Sequence, residues 1–257
     1  MKTPVNFNHL LLQNHRKRSL TKFRKLASAG FLALLVAGMT AGTAACGSGN
    51  VFSKAVKRSD SDKAQAALES GDLDTAISTL ESYLKNNPDD AAARSMLANA
   101  YLKKSGVDLL KIGTSISSGS QDQSSWSAIS GALPAGTEEN IANVQAAVQA
   151  LSNIPAEQRT DEQNYQLAIA QTTLAVTVAK KAAGDTGGQL TNEKIDQMSD
   201  SDALTIYNAL KGSADATNSM SNPDSGLSKV GSISSGIDNQ SGATEAERLR
   251  NYLKTQR

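Results

Sequence analysis

Residues 57–104 read KRSDSDKAQAALESGDLDTAISTLESYLKNNPDDAAARSMLANAYLKK, and the spacing of apolar side chains here decides what kind of fold the chain can adopt. Leu73, Ala76, Ile77, Leu80 and Leu84 recur every three or four residues, which places them on one face of a helix. Gly71 and Asp72 precede that run as a turn, and Asn86-Asn87-Pro88 ends it, because proline lacks the N–H that would continue the hydrogen-bond ladder. The flanking runs show the same period. Ala64, Ala67 and Leu68 lie before the turn; Leu97, Ala98, Tyr101 and Leu102 lie after the proline, with Ser105-Gly106 as the next stop. The predicted order is helix, tight glycine turn, helix, proline, helix.

On these positions, residues 57–90 resemble a tetratricopeptide repeat, a helical hairpin of about 34 residues with small, aromatic and proline positions at set spacing. Ala64 takes the small slot of the first helix, Ala76 the small slot of the second, Leu80 the bulky slot and Pro88 the proline. A second unit begins at Ala91. There Leu97-Ala98 stands for the Leu-Gly pair and Tyr101 for the aromatic, and a second helix over 107–116 carries Leu110 in its small slot. Arg94 stands where Trp is usual and Ala67 where Tyr is usual, so one repeat is complete and one degenerate. Small residues at 64, 76 and 98 let antiparallel helices approach closely, leaving room for Leu80 and Tyr101 to interlock. A bare amphipathic hairpin is the other reading of the same period. The resemblance implies a concave wall that holds a peptide or partner helix, with Lys63, Ala67, Arg94, Ala98 and Tyr101 as the candidate groove. It also implies structural roles for Ala64, Gly71, Ala76, Leu80, Pro88 and Leu97.

Residues 1–45 carry seven Lys or Arg and no Asp or Glu, and 26–45 carry no charge. The apolar heart at 31–36 is followed by Ala41, Gly42, Thr43, Ala44 and Ala45, and then Cys46. A basic flank, an apolar run and small residues make the layout of a secretory signal. A cysteine directly after the small residues resembles the lipobox of bacterial lipoproteins, with Thr43 where Leu is usual. That resemblance implies cleavage before Cys46 and lipidation of its thiol. The uncharged run, about twenty residues, is also long enough to cross a bilayer as an uncleaved anchor. A buried structural cysteine is the remaining alternative, set against the flexible Gly47-Ser48-Gly49-Asn50 beside it.

Removing 1–45 leaves 19 Lys and Arg against 25 Asp and Glu, a formal charge of −6 where the full chain has +1. An acidic, evenly mixed surface carries no electrostatic footprint for nucleic acid. His9 and His15 leave with the signal, so the mature chain has no histidine and one cysteine. Ser-His-Asp and Cys-His catalysis, Cys/His zinc sites and disulfides are thereby excluded, and neither a metal nor a cofactor is implied. The adjacent carboxylates Asp72 and Asp74, Asp89 and Asp90, Glu138 and Glu139, and Asp200 and Asp202 each open or border a predicted helix. There they complement the helix dipole rather than form an acid-base pair.

The predicted class is all-α: helical hairpins followed by an α-helical bundle, with long flexible loops. In order, the chain reads as a signal (1–45), a tether (46–56), repeat-like hairpins (57–118), a Ser/Gly/Gln-rich connector (119–137), a helical bundle (138–211), a low-complexity loop (212–242) and a C-terminal capping helix (243–257). In the connector, Trp126 has helical spacing with Ile129 and Leu133; its ring covers the core or contacts a partner. Within the bundle, 160–183 is apolar on more than one face and longer than repeat helices normally are, which argues against a simple continuation of the repeats. Ile195, Met198, Leu204, Tyr207 and Leu210 are expected to point inward. The loop 212–242 is expected to be mobile or to carry brief helical turns.

Two function classes follow. One is a lipid-anchored scaffold or adaptor whose partner is an envelope protein or peptide, with no enzymatic activity, held by its lipid at the outer membrane of a two-membrane bacterium. The other is a small-molecule carrier, or accessory subunit of a solute transporter, with an apolar pocket in the bundle.

Overall fold

A capping side chain opens each of the first three helices. Ser59 accepts from the Asp62 N–H while the Asp62 carboxylate accepts from the Ser59 N–H, a reciprocal box that starts α1 (Asp60–Ser70). Asp72 accepts from the Thr75 N–H at 3.2 Å and starts α2 (Leu73–Asn86), and Asp90 accepts from the Ala93 N–H at 2.9 Å and starts α3 (Ala91–Lys104). Gly71 ends α1 at φ +80°, in the left-handed region that side chains rarely adopt, and the Asp72 N–H reaches back to the Ala67 carbonyl at 2.9 Å. The computed structural model describes residues 59–107, 133–184, 190–223 and 225–256. Cys46, Leu110, Trp126, the signal and the tether lie outside the described residues.

Among the described residues six further α-helices follow: α4 (Glu138–Ser152), α5 (Asp161–Ala182), the short α6 (Asn192–Gln197), α7 (Asp200–Asn218), α8 (Ser225–Asp238) and α9 (Glu245–Thr255). No strand occurs among the described residues, so the fold is all-α. The carboxylates at 138, 139, 200 and 202 fall in the first turns of α4 and α7, where negative charge meets the positive end of the helix dipole. No described helix is long and apolar enough to cross a membrane.

The helices pack in chain order. α1 lies on α2, α2 on α3, α3 on α4, α4 on α5 and α5 on α7, and α7 carries both α8 and α9. α1 also touches α3, α3 touches α5, and α5 touches α8. Next-but-one contact is how stacked hairpins form a continuous layer; beyond α3 the order branches, since α5 packs on α7 past the short α6 and α7 carries two helices.

The longest helix, α5, spans about 33 Å at a rise of 1.5 Å per residue. It is buried on several faces because α4 and α7 cover it from different sides. At the α5–α7 contact small residues and hydroxyls take the place of large hydrophobes. The Ser213 hydroxyl donates to the Ala168 carbonyl at 3.0 Å, so the Thr172 hydroxyl, 2.9 Å away, is the donor between the two. Both side chains are buried, and their small size lets the two backbones come close.

Three expectations need correction. The segment 212–242 is mostly helical: α7 runs on through Gly212 to Asn218, and 225–238 forms α8. Serine and glycine have weak helix propensity, but Leu227, Val230, Ser234 and Ile237 line one buried stripe, and packing on α7 and α9 holds the helix. Leu204 points outward at 36 % exposure, because the buried face of α7 is set by Ala203, Ile206, Tyr207 and Ala209. Ala67 and Ala98, expected to line the groove, are buried in the helix packing.

The last helix, α9, buries Ala246 and Leu249. Its cations hold the neighbours. Arg250 donates to the Met198 carbonyl at 2.7 Å and pairs with Asp200, and Lys254 pairs with Asp196 on α6.

Candidate interaction site

The α1–α3 segment carries the repeat-type positions 64, 71, 76, 80, 88 and 97. Ala64, Ala76, Leu80 and Leu97 are buried where the three helices meet, Gly71 makes the left-handed turn, and Pro88 lies in the exposed α2–α3 turn. Burial of small residues at 64 and 76 is what allows α1 and α2 to pack closely.

The five candidate groove residues divide. Ala67 and Ala98 are 8 % and 1 % exposed, so they form the wall itself and offer no contact surface. Their methyl groups face the neighbouring helices because close helix packing needs small residues at those positions. Lys63 is exposed and paired with Asp60 at 2.8 Å on its own helix. Arg94 is half-buried, and its Nε donates to the Pro88 carbonyl at 2.8 Å, bracing the turn that leads into α3. Tyr101 is half-buried and its hydroxyl donates to Glu81 on α2 at 2.5 Å. One turn further along α3, Lys104 meets Asp74 of α2 at 2.6 Å. These two contacts hold the α2–α3 pair in register.

The electrostatics follow from these contacts. Burial, reinforced by the bond to the Glu81 carboxylate, pushes the Tyr101 hydroxyl up to about 12. The Ala93 N–H holds the Asp90 carboxyl below the usual carboxylate range against the opposing effect of burial, and the Tyr83 hydroxyl, donating at 2.9 Å, adds to it. Tyr83 is raised in turn, chiefly by that bond.

A second feature lies on α4, α5 and α7. A cleft of about 280 Å³ opens there, floored by Val148, Leu174 and Ala209 and edged by Gln171, Thr205 and Asn208. The Gln171 Oε1 is buried and has no hydrogen-bond partner. Its carboxamide lies flat against Gly212 of α7: a Cβ at 212 would stand 2.5 Å from Nε2 and 2.6 Å from Oε1. The sequence placed an apolar pocket in the bundle but did not single out Gln171, Thr205, Asn208 or Gly212 for it. The available signal was Gly212 itself, since a glycine inside a helix costs about 1 kcal/mol relative to alanine and so marks a close approach.

No curated protein and no solved structure matches the chain. Residues 67–104, from the end of α1 through α2 and α3, match the family model described as Tetratricopeptide repeat.

Proposed function

We propose that the chain is an exported, lipid-anchored envelope protein that works as a scaffold or adaptor for other proteins and carries out no chemistry itself. The observation that carries this reading is the α1–α3 hairpin stack, whose helices match the repeat family over 67–104. Tetratricopeptide hairpins serve other proteins as stacked surfaces for protein partners. The basic flank, the uncharged run and the small residues before Cys46 support export and lipidation. Gly47 after the cysteine, where Asp is absent, favours the outer membrane on the sorting rule of such lipoproteins.

Anchor and scaffold are tested separately. Cells fed an alkyne fatty acid label the wild-type protein in the membrane fraction, and Cys46→Ser abolishes the label; an N-terminal peptide that still contains Met1 overturns lipidation. Cross-linking in intact envelopes, followed by identification of the captured proteins, recovers a specific partner. Recovery of nothing above a Cys46→Ser control overturns the scaffold.

The carrier reading needs an enclosed apolar pocket in the bundle. Val178, near the C-terminal end of α5, is 1 % exposed. The cleft beside Leu174 opens to solvent at the exposed Asn208. Both observations favour the scaffold.

A further inference from the structure

Two weak segments of the fold lean on the same helix. α6 is six residues long, far below the length at which a helix holds itself in water. It buries Ile195 and is tied to the end of α5 by Lys194, which donates to the Ala183 carbonyl. α8 is longer, but eight of its fourteen residues are Ser or Gly, which favour other backbone conformations. α9 packs on α6, on α7 and on α8. Its fastenings to α6 and to the start of α7 are ionic: Lys254 pairs with Asp196, and Arg250 pairs with Asp200 while donating to the Met198 carbonyl at 2.7 Å. On α8 it lays the Tyr252 ring against Gly236, where a Cβ would stand 2.7 Å from Cε2. The apolar part of its hold is small, since Ala246 and Leu249 are the buried residues of the helix. The Asp196 and Asp200 side chains are 61 % and 78 % exposed, which leaves both pairs open to screening by salt.

We propose that α9 is a salt-sensitive strap that fastens α6 and α8 to the fold together, so that the three open as one unit while residues 60–182 stay folded. When α9 lifts, α6 keeps only its tie to α5. α8 keeps its packing on α7, a lesser contact with α5 and the bond from the Tyr207 hydroxyl to the Asp238 carboxylate at 2.8 Å. Neither remainder offsets the entropy of ordering a six-residue helix or one built of Ser and Gly. The opening stops at α7, which α5 holds from its other side through the Ser213 hydroxyl on the Ala168 carbonyl and the Thr172 hydroxyl beside it. Ionic strength sets how often the unit opens, because the attraction within each surface pair is what salt screens. The strap works whether or not the chain is a scaffold.

Native-state hydrogen exchange on the full chain tests this, since the protection of each amide reports the opening that frees it. Salt is raised from about 0.1 M to about 1 M, which shortens the screening length from about 10 Å to about 3 Å. Protection over 192–198, 225–238 and 245–255 should fall by one common factor of about three to ten, as two surface pairs would give, with 60–182 unchanged. Asp196→Asn combined with Asp200→Asn should produce the same loss at low salt and leave little for added salt to do. Leu249→Ala, which empties the apolar seat of α9, should open the unit further, and circular dichroism should show the loss of these three helices alone. Loss of protection in α9 with α6 or α8 unmoved overturns the strap, as does an equal loss in every helix, which is global unfolding. Exchange in the three segments that neither salt nor the double variant alters overturns the ionic fastening and the proposal with it.

Discussion

Asp90 shows how much a single side chain contributes where two helices meet. One carboxylate oxygen caps α3 through the Ala93 N–H and the other holds the Tyr83 hydroxyl of α2. Asp90→Ala removes the cap, at about 0.5–2 kcal/mol, and leaves the hydroxyl without its acceptor; urea unfolding at neutral pH measures the loss. The Asp90 carboxyl is held low in the folded state, so its contribution is present above the ordinary carboxylate range and is lost as pH falls through the folded value. The gap between wild type and variant therefore narrows below pH ~4. Tyr101 titrates in the opposite region. Its hydroxyl is pushed up to about 12, so above pH ~10 the unfolded chain releases a proton that the folded chain keeps, and stability falls with rising pH through that window. Tyr83, Tyr207 and Tyr252 are raised as well, so absorbance at the phenolate band should show several tyrosines ionising late. In Tyr101→Phe the late phase should shrink and the alkaline destabilisation should weaken.

At the scale of elements, legibility in the sequence followed periodicity and failed where composition pointed the other way. α1, α2 and α3 were readable because their apolar spacing, their caps and the breaks at Gly71 and Pro88 all agree. α8 was not, because SGLSKVGSISSGID is a poor helix by propensity. Only the arrival of α7 and α9 on its Leu227–Val230–Ile237 stripe makes it one. Two of its glycines make this testable. A Cβ at Gly231 would meet nothing nearer than the Ala214 Cβ at 4.0 Å, whereas one at Gly236 would lie 2.7 Å from Cε2 of Tyr252. Gly231→Ala should stabilise by about 0.5–1 kcal/mol through helix propensity and a less flexible unfolded chain. Gly236→Ala should destabilise, since the Tyr252 ring must move. Thermal melts of the two variants should shift in opposite directions. Two of the five candidate groove positions were misread for a related reason. Alanines at 67 and 98 have the spacing of a repeat wall, but sequence spacing alone does not separate a methyl facing a partner from one facing the next helix.

Across the whole molecule, packing in chain order makes stability a sum of neighbour contacts. α8 rests chiefly on α7 and α9, so ending the chain after 243 should remove more than the helix deleted. Far-UV circular dichroism should lose the signal of α8 as well as α9, and hydrogen exchange over 225–238 should become fast. The all-α class and the repeat were legible at this scale. The α5–α7 contact was not, because the two helices meet through Ala, Ser and Thr, residues whose inward positions leave a weak apolar signal. The cleft stayed hidden for the same reason, since only Gly212 marks it in the sequence. The row-like order of helices has one more outcome. With few bonds joining its ends, a disturbance at α9 fades over successive layers before it reaches α1, so natural variation can lengthen, shorten or retune one extremity while the other keeps its shape.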